Sequence, residues 1–204
     1  MRISYIVSAY NNPNYLPCLL HSLKVQTDQS FEVIVTDNSD DPLQQQLIEH
    51  EVNNFRFLFG RPWYVRTIGP TCFHSAEEGA RFTLGEFLCF PSDDSYYVPT
   101  FGETMYKAAI ETPADLVLCD MLYDPRSGQG RYAAVEQHPR RNWFDKTGFI
   151  LRRSLFEGFP NKVDGYDANR TGAVVDCADG MLAESLVARG VSYKELRDVL
   201  VVHN

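Results

Sequence analysis

Phe31-Glu32-Val33-Ile34-Val35-Thr36-Asp37-Asn38-Ser39-Asp40-Asp41-Pro42 is the stretch that decides the fold. Phe31–Val35 runs apolar, as a strand buried on both faces of a parallel sheet does. It ends in Thr36–Asp41, which is loop chemistry, and Pro42 is placed to open a helix that runs to about Glu51. The same grammar holds upstream. Arg2–Val7 is rich in β-branched and aromatic residues and stops at a polar turn, so it reads as a strand. Leu16, Leu19, Leu20 and Leu23 then recur at helical spacing, with Pro17 in the first turn, where its missing N–H costs nothing.

Downstream, Phe55–Phe59 reads as a third strand and Gly60–Thr71 as an irregular segment. A helix is expected near Ser75–Leu84, a strand at Phe87–Phe90, a helix from Pro99 to Glu111 and a strand at Leu116–Cys119. Strands alternating with helices imply an α/β fold, a mostly parallel sheet flanked by helices on both faces. Asp124 to about Arg141 reads as loops with a short hairpin. Gly148–Leu151 reads as a strand, Arg152–Glu157 as a short helix and Asn161–Gly172 as a polar loop. Asp179–Arg189 is helical with Gly190 as its stop, and Val199–Val202 is a last strand. There is no internal repeat or linker, so a single domain is expected over 1–204.

The 204 residues carry a formal net charge of -8, with 44% hydrophobic and 23% charged residues. Those fractions are ordinary for a globular protein. The acidic balance, without a basic block, argues against nucleic acid as a partner. No apolar run is long enough for a transmembrane segment, so none is expected, and peripheral membrane association stays open. The first strand does not read as a signal peptide. Five cysteines without metal or redox spacing suit a reduced, cytoplasmic protein.

In open α/β sheets, ligands gather at the carboxyl ends of the strands. Three such ends carry candidates: Ser8-Ala9-Tyr10-Asn11, Asp37-Asn38-Ser39 and Asp93-Asp94. Two adjacent carboxylates repel unless neutralised, and a divalent cation shared with substrate phosphates is the natural neutraliser. Two solvated turn acids are the bland alternative. The chain has neither a Walker-type phosphate loop nor a dinucleotide-type glycine fingerprint after its first strand, and no Ser-centred nucleophile elbow.

Ile3–Asn11, Leu20–Thr27, Phe31–Ser39, Gly85–Asp94 and Thr147–Phe156, in that order, resemble the ordered motifs of family 2 glycosyltransferases. The resemblance implies a GT-A fold with a nucleotide-binding half at about 1–95 and an acceptor-binding half at about 96–204. It implies inverting transfer from a nucleoside diphosphate sugar, with UDP as the expected carrier, to a glycan or lipid-linked acceptor. A divalent metal, Mn2+ or Mg2+, would assist. By position, Ala9 and Tyr10 would line the nucleoside pocket and Asp37 would accept the base N–H. Asp93 would face the ribose or the metal's shell, Asp94 would ligate the metal and His203 would be a second ligand. Asp179 would be the general base, with Asp176 in reserve, and its bland role is a helix N-cap. Trp143 would offer the acceptor an aromatic face.

The chain departs from the family pattern in three places. Ala178 stands where Glu often precedes the base. His74–Ala80 carries two acids where some members place an Arg, leaving His74 or Arg81 as the cation near the phosphates. Ser92-Asp93-Asp94-Ser95 is not Asp-x-Asp, which points to one strong metal ligand. Two other readings use the same residues: a nucleotidyltransferase, although Ser8–Pro13 lacks the glycines and basic residues that grip a triphosphate, and a non-catalytic sugar-nucleotide or glycan binder.

Overall fold

The structure is a computed structural model and describes residues 1–58, 60–123, 132–141, 143–160 and 178–204. Strand β1 (Ile3–Ala9) leads to helix α1 (Leu16–Lys24), strand β2 (Phe31–Asp37) and helix α2 (Pro42–Asn54). Then come β3 (Trp63–Arg66), α3 (Cys72–Ala80), β4 (Phe87–Cys89), β5 (Ser95–Tyr97) and α4 (Phe101–Glu111). The remainder is β6 (Leu116–Tyr123), β7 (Ala133–Val135), β8 (Phe149–Arg152), α5 (Ala178–Ala188) and β9 (Tyr193–His203).

The strands form one sheet in the order β3-β2-β1-β4-β8-β6-β9-β5, with β7 paired to β6. β1, β2, β3 and β4 are mutually parallel. β8 is antiparallel to both β4 and β6, so β6 again runs in the direction of β4, and β9 is parallel to β6. These parallel strands therefore point their carboxyl ends to one edge. Side chains alternate across each strand. Tyr5, Val7 and Ala9 join α1, α2 and α4 in one core, while Ile6, Leu88 and Phe90 join α3 and α5 in the other.

Local chemistry sets the element ends. Asp41 caps α2 by accepting from Leu43 N at 2.8 Å. α5 stops at Gly190, which takes φ +79. There Gly190 N donates to Val187 O at 2.9 Å and Val191 N to Leu186 O at 3.1 Å, the paired bonds of a glycine-terminated helix.

Three expectations are corrected. Phe55–Leu58, the described part of the expected third strand, is not a strand: Phe57 makes one isolated bridge to Gly60, and Phe57 packs its ring against Phe55 and Phe31 instead. The third strand lies in the segment read as irregular. It is fixed there by Tyr64, whose hydroxyl donates to Asp37 Oδ2 at 2.8 Å, and by Arg66, which donates to the carbonyls of Asp37 and Ser39 at 2.7 and 2.6 Å. Ser95–Tyr97, to which the sequence reading assigns no element, is a strand against β9. The last strand begins at Tyr193, not Val199, because register shifts around Asp120 break the alternation that a sequence reader follows. The loop read at Asn161–Gly172 and the reserve base Asp176 lie outside the described residues.

Gly85 precedes β4 at a close approach of backbones. Its N–H donates to Ser4 Oγ at 2.9 Å, and a Cβ there would sit 2.7 Å from Ser4 N and 2.9 Å from Ile3 C. Gly85→Ala must push two backbones apart, at a cost of about 1–3 kcal/mol. Thermal melts should show the midpoint lowered by roughly 2–4 °C per kcal/mol. An unchanged midpoint would mean that β1 and β4 can separate freely here.

Candidate active site

The carboxyl edge gathers residues from distant parts of the chain. Ser8 N donates to Pro91 O at 3.0 Å and Asp93 N to Ser8 O at 3.2 Å, so the acidic turn continues β4 beside the end of β1. Asp93 Oδ2 accepts from Tyr10 N at 3.3 Å, which turns Asp93 toward the loop after β1. That loop is tied to the loop after β2. Asn11, at φ 50, donates from its backbone N to Ser39 Oγ at 2.8 Å, and Tyr10 Oη donates to Asp40 at 3.1 Å. Asn tolerates this left-handed backbone better than most residues. Ala9 is buried at the end of β1, while Tyr10 is half exposed.

Asp37 lies beneath this rim with 0% exposure. One oxygen accepts from Ser39 N at 2.8 Å and the other from the Tyr64 hydroxyl.

Asp94 turns the other way. Its Oδ1 is buried without a hydrogen bond and lies 3.4 Å from His203 Nε2. β9 delivers His203 because it runs parallel to β6 and ends on the same edge. Asn204 follows, and its Nδ2 donates to Asp94 O at 3.1 Å. His203 Nδ1 faces Asp145 Oδ2 at 3.2 Å, and Asp145 Oδ1 accepts from Thr147 N and Oγ1 at 2.8 and 2.6 Å. Burial opposes a charge on His203, but Asp145 and Asp94 outweigh it and lift the imidazolium's pKa to about 10. Burial likewise opposes the Asp145 charge, yet His203 and Thr147 hold its carboxyl well below the usual range.

Asp179 stands in the first turn of α5 with 8% exposure. Oδ2 accepts from Lys146 N at 3.2 Å and Oδ1 from Gly180 N at 2.8 Å. Burial, then the charge of Asp145, pushes its pKa up to about 7. Burial and then Asp94 do the same for Asp93, also to about 7. A carboxylate poised near neutrality suits proton transfer at physiological pH.

The donors fit a divalent cation. Asp94 Oδ1 and His203 Nε2 would be the protein ligands, with His203 giving up its proton to the solvent as a cation binds. Among the described residues no cluster of three or more His, Cys, Asp or Glu side chains could hold a metal, so substrate oxygens would have to complete the shell.

Trp143 is exposed, and its neighbours lie toward the start of β9, where His138 meets Glu195 at 3.1 Å. Arg140 lies 4.7 Å over its ring, and His138 packs at 5.6 Å. His74, in the first turn of α3, faces Thr71 Oγ1 at 2.8 Å. Arg81 sits at the far end of that helix, away from the edge. The sequence reading gave no role to Lys146 or Asp145. Their signal was weak, a charged pair beside a tryptophan, and only the fold brings them to Ser92 and His203.

A mostly parallel sheet flanked by helices, with polar turns at the carboxyl ends of its strands, is the GT-A architecture. The sequence pattern described as Glycosyl transferase family 2 matches residues 4–176, and the chain belongs to that family. It is similar to the putative glycosyltransferase EpsH of Bacillus subtilis, with 24% identity over 172 residues, 82% of this chain and 46% of the relative. It is also similar to the glycosyltransferase GlyA of Streptococcus pneumoniae, with 28% identity covering 57% of this chain and 16% of the relative. The chain thus spans less than half the length of these curated relatives. Among solved structures it overlays S. aureus TarS 1-349 in complex with UDP-GlcNAc, at a TM-score of 0.71 and 22% identity, covering 99% of this chain and 58% of that one. It overlays the mannosyltransferase PcManGT from Pyrobaculum calidifontis, in complex with GDP-Man and Mn2+, at a TM-score of 0.72 and 18% identity, covering 99% and 56%. At those identities the overlays show the fold. No helix among the described residues is long and apolar enough to cross a membrane.

Proposed function

We propose that this chain transfers a sugar from a nucleoside diphosphate sugar, with UDP as the carrier, to an acceptor hydroxyl with inversion at the anomeric carbon. The observation that carries the reading is Asp179, a buried carboxylate held by Lys146 N and Gly180 N next to the turn whose Lys146 and Asp145 side chains reach Ser92 and His203. The TarS and PcManGT structures, bound to UDP-GlcNAc and to GDP-Man with Mn2+, support a sugar-nucleotide donor.

In this reading the amino-terminal half binds the donor. Ala9 and Tyr10 line the nucleoside pocket, and Asp93, turned toward Tyr10, faces the ribose. Asp37 meets the base N–H when Tyr64 yields one of its oxygens. Until then it acts as the pocket's floor, holding Ser39 and β3 in place. Asp94 and His203 would hold a divalent cation, and the chemistry it would supply is positive charge for the leaving diphosphate. In the acceptor half, Trp143 offers an aromatic face to a glycan or lipid-linked acceptor. Asp179 takes the acceptor hydroxyl's proton as that oxygen bonds to the anomeric carbon. The bond from that carbon to the diphosphate oxygen breaks, and the nucleoside diphosphate leaves with the electron pair. A single displacement of this kind inverts the anomeric centre. A cytoplasmic location, with membrane-bound acceptors met only peripherally, completes this reading.

Release of nucleoside diphosphate should be assayed with UDP-glucose, UDP-galactose, UDP-N-acetylglucosamine and GDP-mannose, with and without Mn2+, and the product anomer read by proton NMR. Manganese-dependent release from one UDP-sugar with an inverted product is expected. Nucleotide binding without turnover of any donor would favour a non-catalytic binder, and retention of configuration would exclude single displacement.

A further inference from the structure

Lys146 is 6% exposed, unusual for a lysine, whose ammonium is costly to bury without partners. Its partners lie on both sides of the site. Nζ donates to Ser92 Oγ at 2.9 Å and to Phe90 O at 3.4 Å, both in the strand end that carries Asp93 and Asp94. Its backbone N–H donates to Asp179 Oδ2 at 3.2 Å. The backbone has little freedom to drift. Asp145 caps the short 3-10 turn Lys146–Gly148 through Thr147 N, and Thr147 O accepts from the buried hydroxyl of Tyr97 at 2.9 Å. One residue therefore links the donor-side acids to the acceptor-side carboxylate by a side chain in one direction and a peptide N–H in the other.

We propose that Lys146 is a positioning residue that sets the separation between the acidic strand end and Asp179 and supplies positive charge between them; this rests on the reading of Asp179 as the base. The electrostatics agree. Burial and the charge of Asp145 drive Asp179 toward the neutral form, and Lys146 is among the groups that oppose this. The effect of Lys146 then passes through Asp179, so the two residues act as a unit, and effects within a unit are not additive.

The test is a double-mutant cycle of Lys146→Gln, which keeps hydrogen-bonding capacity but not charge, with Asp179→Asn. Turnover is read on the best donor of the panel above. Lys146→Gln should lower kcat about 100-fold with the donor KM within about threefold. In the Asp179→Asn background it should cost less than about threefold more. A parallel cycle in urea at pH 8 needs no substrate. There Lys146→Gln should raise the unfolding constant about tenfold in the wild-type chain and less than about threefold when Asp179 is Asn. Near-wild-type kcat in Lys146→Gln, or its full loss repeated in the Asp179→Asn background, would overturn the proposal. Full turnover by Asp179→Asn alone would instead sink the base assignment, with the urea cycle still reporting on Lys146. If Lys146→Gln does not fold, Ser92→Ala releases the ammonium from its strand-end anchor and should lower kcat about tenfold, again with no further loss in Asp179→Asn. Additive losses would count against the linkage.

Discussion

Asp179→Asn should lose about a thousandfold in kcat, within the range that a positioned general base contributes, while binding nucleoside diphosphate as the wild type does. The amide keeps the shape of the side chain and one acceptor for the Lys146 and Gly180 N–H groups, but it cannot take a proton. In the wild type, kcat/KM should rise with pH through about 7 as Asp179 ionises, and the variant should lack this limb. Stability should move the other way. The folded-state pKa of Asp179 lies above the ordinary value near 4, so its favourable contribution is full below about pH 4 and is lost as pH rises toward 7. The Asn variant carries no such loss. At pH 8 it should be more stable by about 1–3 kcal/mol, seen as a higher melting midpoint. A variant both inactive and more stable would mark Asp179 as a group held against its solvation preference for function. Loss of activity with loss of stability would mark it as a structural cap.

Asp94→Asn should separate metal-supported from metal-free binding. Its Oδ1 is buried without a hydrogen bond and faces His203, and among the described residues no group of three or more His, Cys, Asp or Glu side chains could hold a metal without added ligands. Titration calorimetry with UDP and Mn2+ should show affinity reduced at least about 100-fold, since even residues one shell out from a metal typically cost 10–100-fold. UDP affinity without metal should be unchanged, because Asp93 and not Asp94 faces the Tyr10 loop. A parallel loss in both titrations would place Asp94 on the nucleotide itself. Wild-type affinity in both would remove it from the site.

The parallel half of the sheet was legible because each strand there is an apolar run that ends in polar turn residues. Phe31–Val35 followed by Asp37-Asn38-Ser39 is the plainest case, and the alternation with Leu16–Leu23 and Phe101–Ala109 fixes the layers. Phe55–Leu58 misled because aromatic alternation signals burial, not hydrogen-bonded pairing. The strand formed instead where Tyr64 and Arg66 could satisfy Asp37 and its loop, a long-range polar match with no local pattern. β9 was half hidden by its bulge, and Arg197, paired to Asp120 at 2.9 Å, reads as loop chemistry. The candidate site was legible where one segment carries the chemistry, as in Asp93-Asp94 and at the start of α5. Lys146 and Asp145 were not, because their meaning comes from partners at 92 and 203 that no local reading can supply.

The position of β9 has a consequence for how the molecule is made. β5, at 95–97, can pair only when 201–203 arrive, and contacts so far apart in sequence form late. A chain growing from its amino terminus would have the nucleoside-side loops shaped well before His203 and Asn204 reach Asp94. The Asp94–His203 contact is therefore a late-formed feature of the edge, and any function that needs both residues waits for β9.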